Sequence, residues 1–192
     1  MRRLDDLVGA LLEALLPWMR ELPFAFFGHS LGAIVALEAA RALALRQAPL
    51  PRHLILSARA APHLPLRRAP VARLSREGLK RWLRQVNGTP EAVLQSREMM
   101  DLLLPVLRAD LELDDNYRST TEPRLACPLT VLGGLNDNEA TPEELEAWSG
   151  YTTNRFTLRL MEGDHFFVFN QAQSPALAAV AEACTGPDTI LA

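Results

Sequence analysis

Apolar residues at the start of the chain recur at intervals of three and four, from residue 4 to residue 16. This spacing predicts one helical stripe, which we expect to end near Pro17 because proline lacks the N–H that continues a helix. Residues 24–27 are apolar at every position, as in a strand buried on both faces of a parallel sheet. Leu31–Leu45 is rich in alanine and leucine and predicts a well-buried helix directly after that strand.

Further strands are predicted at residues 53–56, 129–132 and 156–161, with helical patterns at residues 143–148 and 175–184. Alternating strands and helices indicate an α/β fold with a mostly parallel sheet.

The alternation stops between the second and third strands, where residues 64–116 have helical periodicity and no strand pattern. Turn signals at residues 87–90 and at Pro105 divide this segment. It could be a helical decoration that only adds stability. We favour the interpretation that the segment is a lid that covers the active site. The segment leaves the sheet at the end where the strands point toward a ligand crevice.

The amino-acid composition of the chain excludes several classes of protein. The chain of 192 residues is 48% hydrophobic, which suits one globular domain over residues 1–192. A net charge of −3 with mixed signs gives no basic face for nucleic acid. Two widely separated cysteines, Cys127 and Cys184, indicate a reducing cytoplasm, and no apolar run is long enough to span a membrane.

Residues 28–32, Gly-His-Ser-Leu-Gly, match the nucleophile-elbow pattern between the first predicted strand and its helix. A serine at such a tight turn has strained backbone geometry, so the residues two before and two after it must be small. Gly28 and Gly32 are expected to meet this need because they have no side chain that could collide. The turn, which includes His29, presents the Ser30 hydroxyl above the sheet. The backbone N–H of Leu31 would then point at a developing oxyanion.

A serine nucleophile needs a base and a carboxylate that orients the base. Asp137 follows the third predicted strand and His165 follows the fourth, so both belong to loops at the carboxyl end of the sheet. The order Ser30, Asp137, His165 is that of α/β-hydrolases. Asp114 and Asp115 lie outside any such loop. The remaining histidines are interpreted as local structural residues: His29, His53 and His63.

Four segments carry a resemblance to a known family: residues 23–33 around the elbow, Gly-Thr-Pro-Glu at 88–91, Leu-Pro-Val-Leu-Arg-Ala-Asp at 104–110, and Gly133-Gly134 with Asp137 followed by Gly-Asp-His-Phe-Phe at 163–167. The chain resembles the stand-alone type II thioesterases that accompany nonribosomal peptide and polyketide synthases. The second and third segments are the most particular to this family, because many hydrolases share the triad.

This resemblance implies removal of acyl or aminoacyl groups from the phosphopantetheine thiol of a carrier protein, in antibiotic-type biosynthesis. Ser30 would attack the thioester carbonyl and pass its proton to His165, and water would hydrolyse the acyl-enzyme. We expect neither a cofactor nor a metal, and the partner would be an acyl or peptidyl carrier protein.

The beginning of the chain departs from the family pattern, because α/β-hydrolases have several strands before the nucleophile strand. The second oxyanion N–H comes from a loop after one of those strands, and losing one donor costs roughly a hundredfold to a thousandfold in rate. The strand at 24–27 would also have one unpaired edge. We therefore expect an N-terminally truncated hydrolase domain, weakly active or inactive, with Met1 as a misplaced or truncated start.

The sequence is also compatible with two other functions. The triad does not distinguish a thioester from an oxygen ester, so another serine hydrolase such as a carboxylesterase fits the same pattern. The second alternative is a catalytically impaired fragment that binds a carrier protein or another partner chain.

Overall fold

The computed structural model describes residues 3–169, 178 and 180–182. Its strands and α-helices follow one another along the chain in this order: α1 (Leu4–Glu21), β1 (Ala25–His29), α2 (Leu31–Leu45), β2 (His53–Ser57), α3 (Arg76–Val86), α4 (Glu91–Gln95), α5 (Arg97–Asn116), β3 (Leu129–Gly134), α6 (Pro142–Glu146) and β4 (Phe156–Met161). Short 3₁₀ helices follow α6 and β4, at Ala147–Tyr151 and Phe167–Phe169.

The strands form one four-stranded parallel sheet in the order β1-β2-β3-β4. In register, Gly28 lies beside Leu56, Leu56 beside Val131, and Val131 beside Leu158. The carboxyl ends of all the strands therefore meet at one edge of the sheet, as the predicted parallel α/β fold requires. Within the described residues β1 pairs only with β2, so it lies at the side of the sheet.

The core lies on both faces of the central strands, because β2 and β3 are buried at every position. Ile34 and Leu37 of α2 pack against Leu54 and Val131 in the main apolar cluster. Trp148 joins the same cluster and is fully buried. This burial of both faces explains why the strands read as continuous apolar runs in the sequence.

Proline positions mislead the prediction of helix boundaries. Helix α1 continues through Pro17 to Glu21, and Pro105 lies inside α5 instead of separating two helices. A proline inside a helix removes one hydrogen bond and costs about 3 kcal/mol, which burial on its far side can offset. Met19, beyond Pro17, is buried against the α1–α2 cluster, and Leu111 is buried beyond Pro105.

The inserted helices α3, α4 and α5 lie between β2 and β3, where the sequence predicts helical periodicity. They form an apolar cluster of their own that includes Leu79, Leu83 and Met100. The predicted turn is present, since α3 ends at Val86 and Asn87 has a left-handed backbone with φ of 58°.

The ends of three strands and the last predicted helix differ from, or fall outside, what the structure describes. Strands β1, β2 and β3 extend further than predicted, to His29, Ser57 and Gly134. Most of the helix predicted at residues 175–184, with Cys184, lies outside the described residues. In the described part of the chain, no helix combines the length and apolar character that crossing a bilayer requires.

Candidate active site

Ser30 occupies the turn between β1 and α2 with φ of 55° and ψ of −120°, a strained conformation for a residue with a side chain. Its N–H donates to the carbonyl of Ser57 at 2.8 Å, and its carbonyl accepts from the N–H of Ala33 at 3.0 Å. These bonds tie the strained turn to the end of β2 and to the first turn of α2. The hydroxyl is thereby held above the carboxyl edge of the sheet.

The two glycines of the elbow differ in their steric roles. A Cβ on Gly28 would collide with the backbone carbonyl of Gly32 and lie 2.8 Å from the Cα of Ala33. A Cβ on Gly32 would meet nothing within 4 Å. The expectation that both glycines avoid collisions is therefore wrong for Gly32, because its Cβ direction leads into open space.

The structure brings together the three residues that the sequence nominates as a triad. The His165 Nε2 atom lies 3.1 Å from the Ser30 Oγ atom. On the other side of the ring, His165 Nδ1 lies 3.0 Å from Asp137 Oδ2 and 3.2 Å from Oδ1. The Asp137 side chain is fully buried and that of His165 is 9% exposed. A base within reach of a hydroxyl, oriented by a buried carboxylate, is the arrangement that activates a serine nucleophile.

A partly buried ion network that the sequence analysis missed lies beside Asp137. Its centre is Arg68, whose Nη1, Nη2 and Nε atoms donate to Asp115 at 2.6 Å, Asp114 at 3.0 Å and Glu139 at 2.8 Å. The Glu139 backbone N–H in turn donates to Asp137 Oδ1 at 2.8 Å. The network thus links α5 to the loop that carries the triad carboxylate.

Burial raises the pKa of the Asp114 carboxyl, although Arg59 and Arg68 oppose the shift. Arg59 Nη1 donates to Asp114 Oδ2 at 3.1 Å. A buried carboxylate of this kind depends on its cations, because an unpaired buried charge is strongly destabilising.

A cavity of about 230 Å³ lies over Ser30, between the elbow and the inserted helices. Apolar side chains make up much of its wall: Leu31, Trp82, Leu83, Val86 and Leu107. Leu31 is the first residue of α2, so its N–H lies in the turn whose donors have no acceptor within the helix.

The inserted helices contact both loops of the triad. Asn87 Nδ2 donates to Asp164 Oδ2 at 2.9 Å, next to His165. The ring of Phe166 covers Gly88 so closely that any side chain at Gly88 would collide with it. On the other loop, the Trp82 indole N–H donates to Glu139 Oε1 at 3.3 Å. The position of the insert is therefore coupled to the position of the histidine and of the carboxylate.

Each of the other histidines lies within hydrogen-bonding distance of a hydroxyl group. His53 Nε2 lies 2.9 Å from Thr130 Oγ1, and His63 Nδ1 lies 3.2 Å from the Tyr151 hydroxyl. His29 Nδ1 lies 3.1 Å from Ser57 Oγ, and its ring centroid is 5.2 Å from that of His165.

Burial, with a smaller contribution from His165, lowers the pKa of His29 from 6.5 to about 4. The His29 side chain therefore takes up a proton near pH 6.5 in the unfolded chain, but only near pH 4 in the folded chain. We expect the free energy of unfolding to fall as the pH drops through this window, by up to about 1.4 kcal/mol per pH unit from this group. Urea titrations between pH 4 and pH 7.5 measure the slope.

The contribution of His29 is isolated by subtracting the curve of His29→Gln. His63→Gln controls for the loss of a histidine outside this cluster. A His29→Gln curve parallel to that of the wild type across the window would contradict the shift.

The parallel sheet, the strained serine turn and the two strand-end loops define the α/β-hydrolase class, and the predicted fold class is confirmed. A family model described as "Thioesterase domain" matches residues 1–185, and the chain belongs to this thioesterase family.

Similarity to individual relatives supports the same family assignment. The chain is 40% identical over 169 residues to the gramicidin S biosynthesis protein GrsT of Aneurinibacillus migulanus, covering 88% of this chain and 66% of that protein. It is 36% identical to the thioesterase PikA5 of Streptomyces venezuelae, covering 89% of this chain and 60% of that protein. The chain therefore spans slightly less than two thirds of the length of these relatives.

A solved structure, the RedJ thioesterase from the prodiginine biosynthetic pathway of Streptomyces coelicolor, is 38% identical and matches with a TM-score of 0.83. The match covers 95% of this chain and 67% of that chain. The fold described above is therefore shared with a biosynthetic thioesterase.

Proposed function

We propose that this protein is a thioester hydrolase that removes acyl or aminoacyl groups from phosphopantetheinyl carrier proteins of a nonribosomal peptide or polyketide synthase. The observation that carries the proposal is the contact chain from Ser30 Oγ through His165 to Asp137, at 3.1 Å and 3.0 Å. The relatives support a role in such biosynthesis. Their names describe a protein of gramicidin S biosynthesis, a thioesterase, and a thioesterase of prodiginine biosynthesis.

In the proposed reaction the Ser30 oxygen attacks the thioester carbonyl carbon while His165 Nε2 accepts the hydroxyl proton. Asp137 keeps the proton of the imidazole on Nδ1 and stabilises the imidazolium that forms. The N–H of Leu31, at the start of α2, donates to the oxyanion. The C–S bond then breaks, the carrier thiol leaves, and water attacks the acyl-enzyme with His165 as base.

A thiolate is a better leaving group than an amine, so less protonation of the departing atom is needed and the oxyanion becomes the main electrostatic problem. This chemistry uses side chains and water, and it requires neither a metal nor an organic cofactor. A cytoplasmic location stays a prediction.

We also propose that the inserted helices α3, α4 and α5 act as a lid on the acyl cavity. The support is their position, since Leu83 of α3 and Leu107 of α5 line the cavity over Ser30. Their bonds to Asp164 and Glu139 would let lid movement adjust both triad loops. Closure of such a lid excludes water from the acyl group until the leaving group has departed.

Turnover of paired substrates tests the proposal. We expect the full chain to hydrolyse acetyl-pantetheine with a higher kcat/KM than the matching oxygen ester, and Ser30→Ala to show no hydrolysis above background. A preference for the oxygen ester would indicate a carboxylesterase instead. Labelling by a fluorophosphonate separates the third possibility, because a chain that only binds a partner would leave Ser30 unlabelled.

A further inference from the structure

His29 is the last residue of β1, directly before Ser30, and its ring packs against the ring of His165. We infer that His29 is a positioning residue, whose ring holds the imidazole of His165 where it can accept the proton of Ser30. His29 does not line the cavity over Ser30, so it acts through His165. This inference rests on the proposed function and adds a supporting residue to its triad.

One contact at the end of β2 fixes the His29 ring relative to the nucleophile. The Nδ1 atom of His29 lies 3.1 Å from the Oγ atom of Ser57, the last residue of β2. The backbone carbonyl of Ser57 accepts the N–H of Ser30 at 2.8 Å. Ser57 is fully buried, so the sheet holds both the His29 ring and the Ser30 turn through one residue.

The His29 ring also contacts every aromatic side chain of the loop that follows β4. Its centroid lies 5.2 Å from that of His165 and 5.5 Å from that of Phe166. The rings of Phe169, at 5.3 Å, and Phe167, at 6.5 Å, meet it in edge-to-face arrangements. Ring pairs at such separations attract one another. His29 therefore connects the nucleophile turn to the loop that carries the base.

Other contacts hold the backbone of this loop, so the loop does not depend on His29 for its attachment. Phe167 and Val168 are buried in an apolar cluster with side chains of β2 and β3. In the described part of the chain two rings pack against the imidazole of His165, those of His29 and Phe166. Loss of the His29 ring is therefore expected to free the imidazole while the loop stays in place.

A histidine suits this position because here it stays neutral. Burial, and to a smaller extent His165, lowers the pKa of His29 to about 4, while Asp137 opposes the shift. The ring is therefore uncharged over the pH range in which an ordinary histidine base titrates. A cation at this distance would disfavour the imidazolium that forms on His165 when Ser30 attacks. A neutral ring packs against His165 without opposing that charge.

Two substitutions separate the ring of His29 from its polar contact. His29→Phe keeps an aromatic ring, whereas His29→Asn keeps a hydrogen-bonding group near the position of Nδ1 and removes the ring. We expect His29→Asn to lower kcat for acetyl-pantetheine about tenfold to hundredfold, with KM within about twofold of the wild type. His29→Phe should lose less than about fivefold, with the apparent pKa of its kcat/KM profile unchanged, because His29 transfers no proton.

His53→Asn is the matched control for loss of a buried histidine. His53 begins β2, and its Nε2 atom lies 2.9 Å from the hydroxyl of Thr130. We expect this variant to unfold at a lower temperature, while kcat of the folded protein stays within about threefold of the wild type. A similar loss of kcat in His53→Asn and His29→Asn would mean that His29 only stabilises the fold.

Labelling of Ser30 by a fluorophosphonate separates failure of this inference from failure of the proposed function, because the probe contains no thioester. Labelling that is at least about tenfold slower in His29→Asn but nearly unchanged in His29→Phe, in a chain that hydrolyses no thioester, would support the role of His29 and refute the proposed function. Rates that are unchanged in His29→Asn, or equally lowered in both variants, would overturn the inference. A wild-type chain that is not labelled would overturn it as well, since His165 would then not activate Ser30.

Discussion

Replacing Asp137 by asparagine is expected to lower kcat/KM for acetyl-pantetheine by about ten-thousandfold, with the fold retained. The Asp137 carboxylate accepts the proton on His165 Nδ1, which leaves Nε2 free to accept the proton of Ser30. An asparagine can place its NH₂ group toward Nδ1 and thereby move the ring proton to Nε2. The imidazole would then be the wrong tautomer to act as a base.

The measurement is kcat/KM of purified Asp137→Asn, with circular dichroism and thermal unfolding to show that the fold is intact. Asp6→Asn is the matched control, because Asp6 is an exposed carboxylate of α1 that lies outside the wall of the cavity over Ser30 and has no bond to the triad. We expect the control to stay within about threefold of the wild type. A loss of less than tenfold in Asp137→Asn would mean that another residue orients His165.

The sequence predicted those parts of the fold that local signals specify. The helix Leu31–Leu45 and the strand Phe156–Met161 have the predicted bounds, because hydrophobic pattern and adjacent turn residues both mark their ends. The candidate site followed from the same reasoning. Parallel strands end at one edge, so residues just after β1, β3 and β4 meet there although Ser30 and His165 are 135 positions apart.

The parts that were not predicted depend on contacts between distant residues. Arg68 bonds to carboxylates 46, 47 and 71 positions away, and no local pattern marks it as their common partner. Pro17 reads as a helix end, because the burial of Met19 that holds the last turn of α1 comes from α2. Tertiary packing thus overrides the local signal at both places.

The Arg68 network also changes how the candidate site is understood. The sequence placed Asp114 and Asp115 outside the triad, and the structure places them in the network that joins α5 to the Asp137 loop. Asp137 is therefore held both by His165 and by a loop whose position depends on buried ion pairs. The geometry of the triad and the position of the insert are consequently set by shared contacts.

The second large effect concerns the stability of the elbow. Gly28→Ala is expected to destabilise the fold by more than about 4 kcal/mol, because its Cβ would overlap backbone atoms of Gly32 and Ala33, which cannot rotate away as a side chain can. Relief would require β1 and α2 to separate at Ser30, the residue that holds the strained turn. Urea unfolding monitored by tryptophan fluorescence measures the loss, and thioester hydrolysis should fall with it.

Gly32→Ala is the matched control, since it adds the same methyl group four residues away in open space. Gly32 lies in the first turn of α2, where alanine is the better helix former by up to about 1 kcal/mol. We therefore expect Gly32→Ala to fold with unchanged or slightly raised stability. Equal destabilisation by the two substitutions would contradict this prediction. It would show that β1 and α2 are not in close contact at Gly28, and that this contact does not hold the Ser30 turn in its strained conformation.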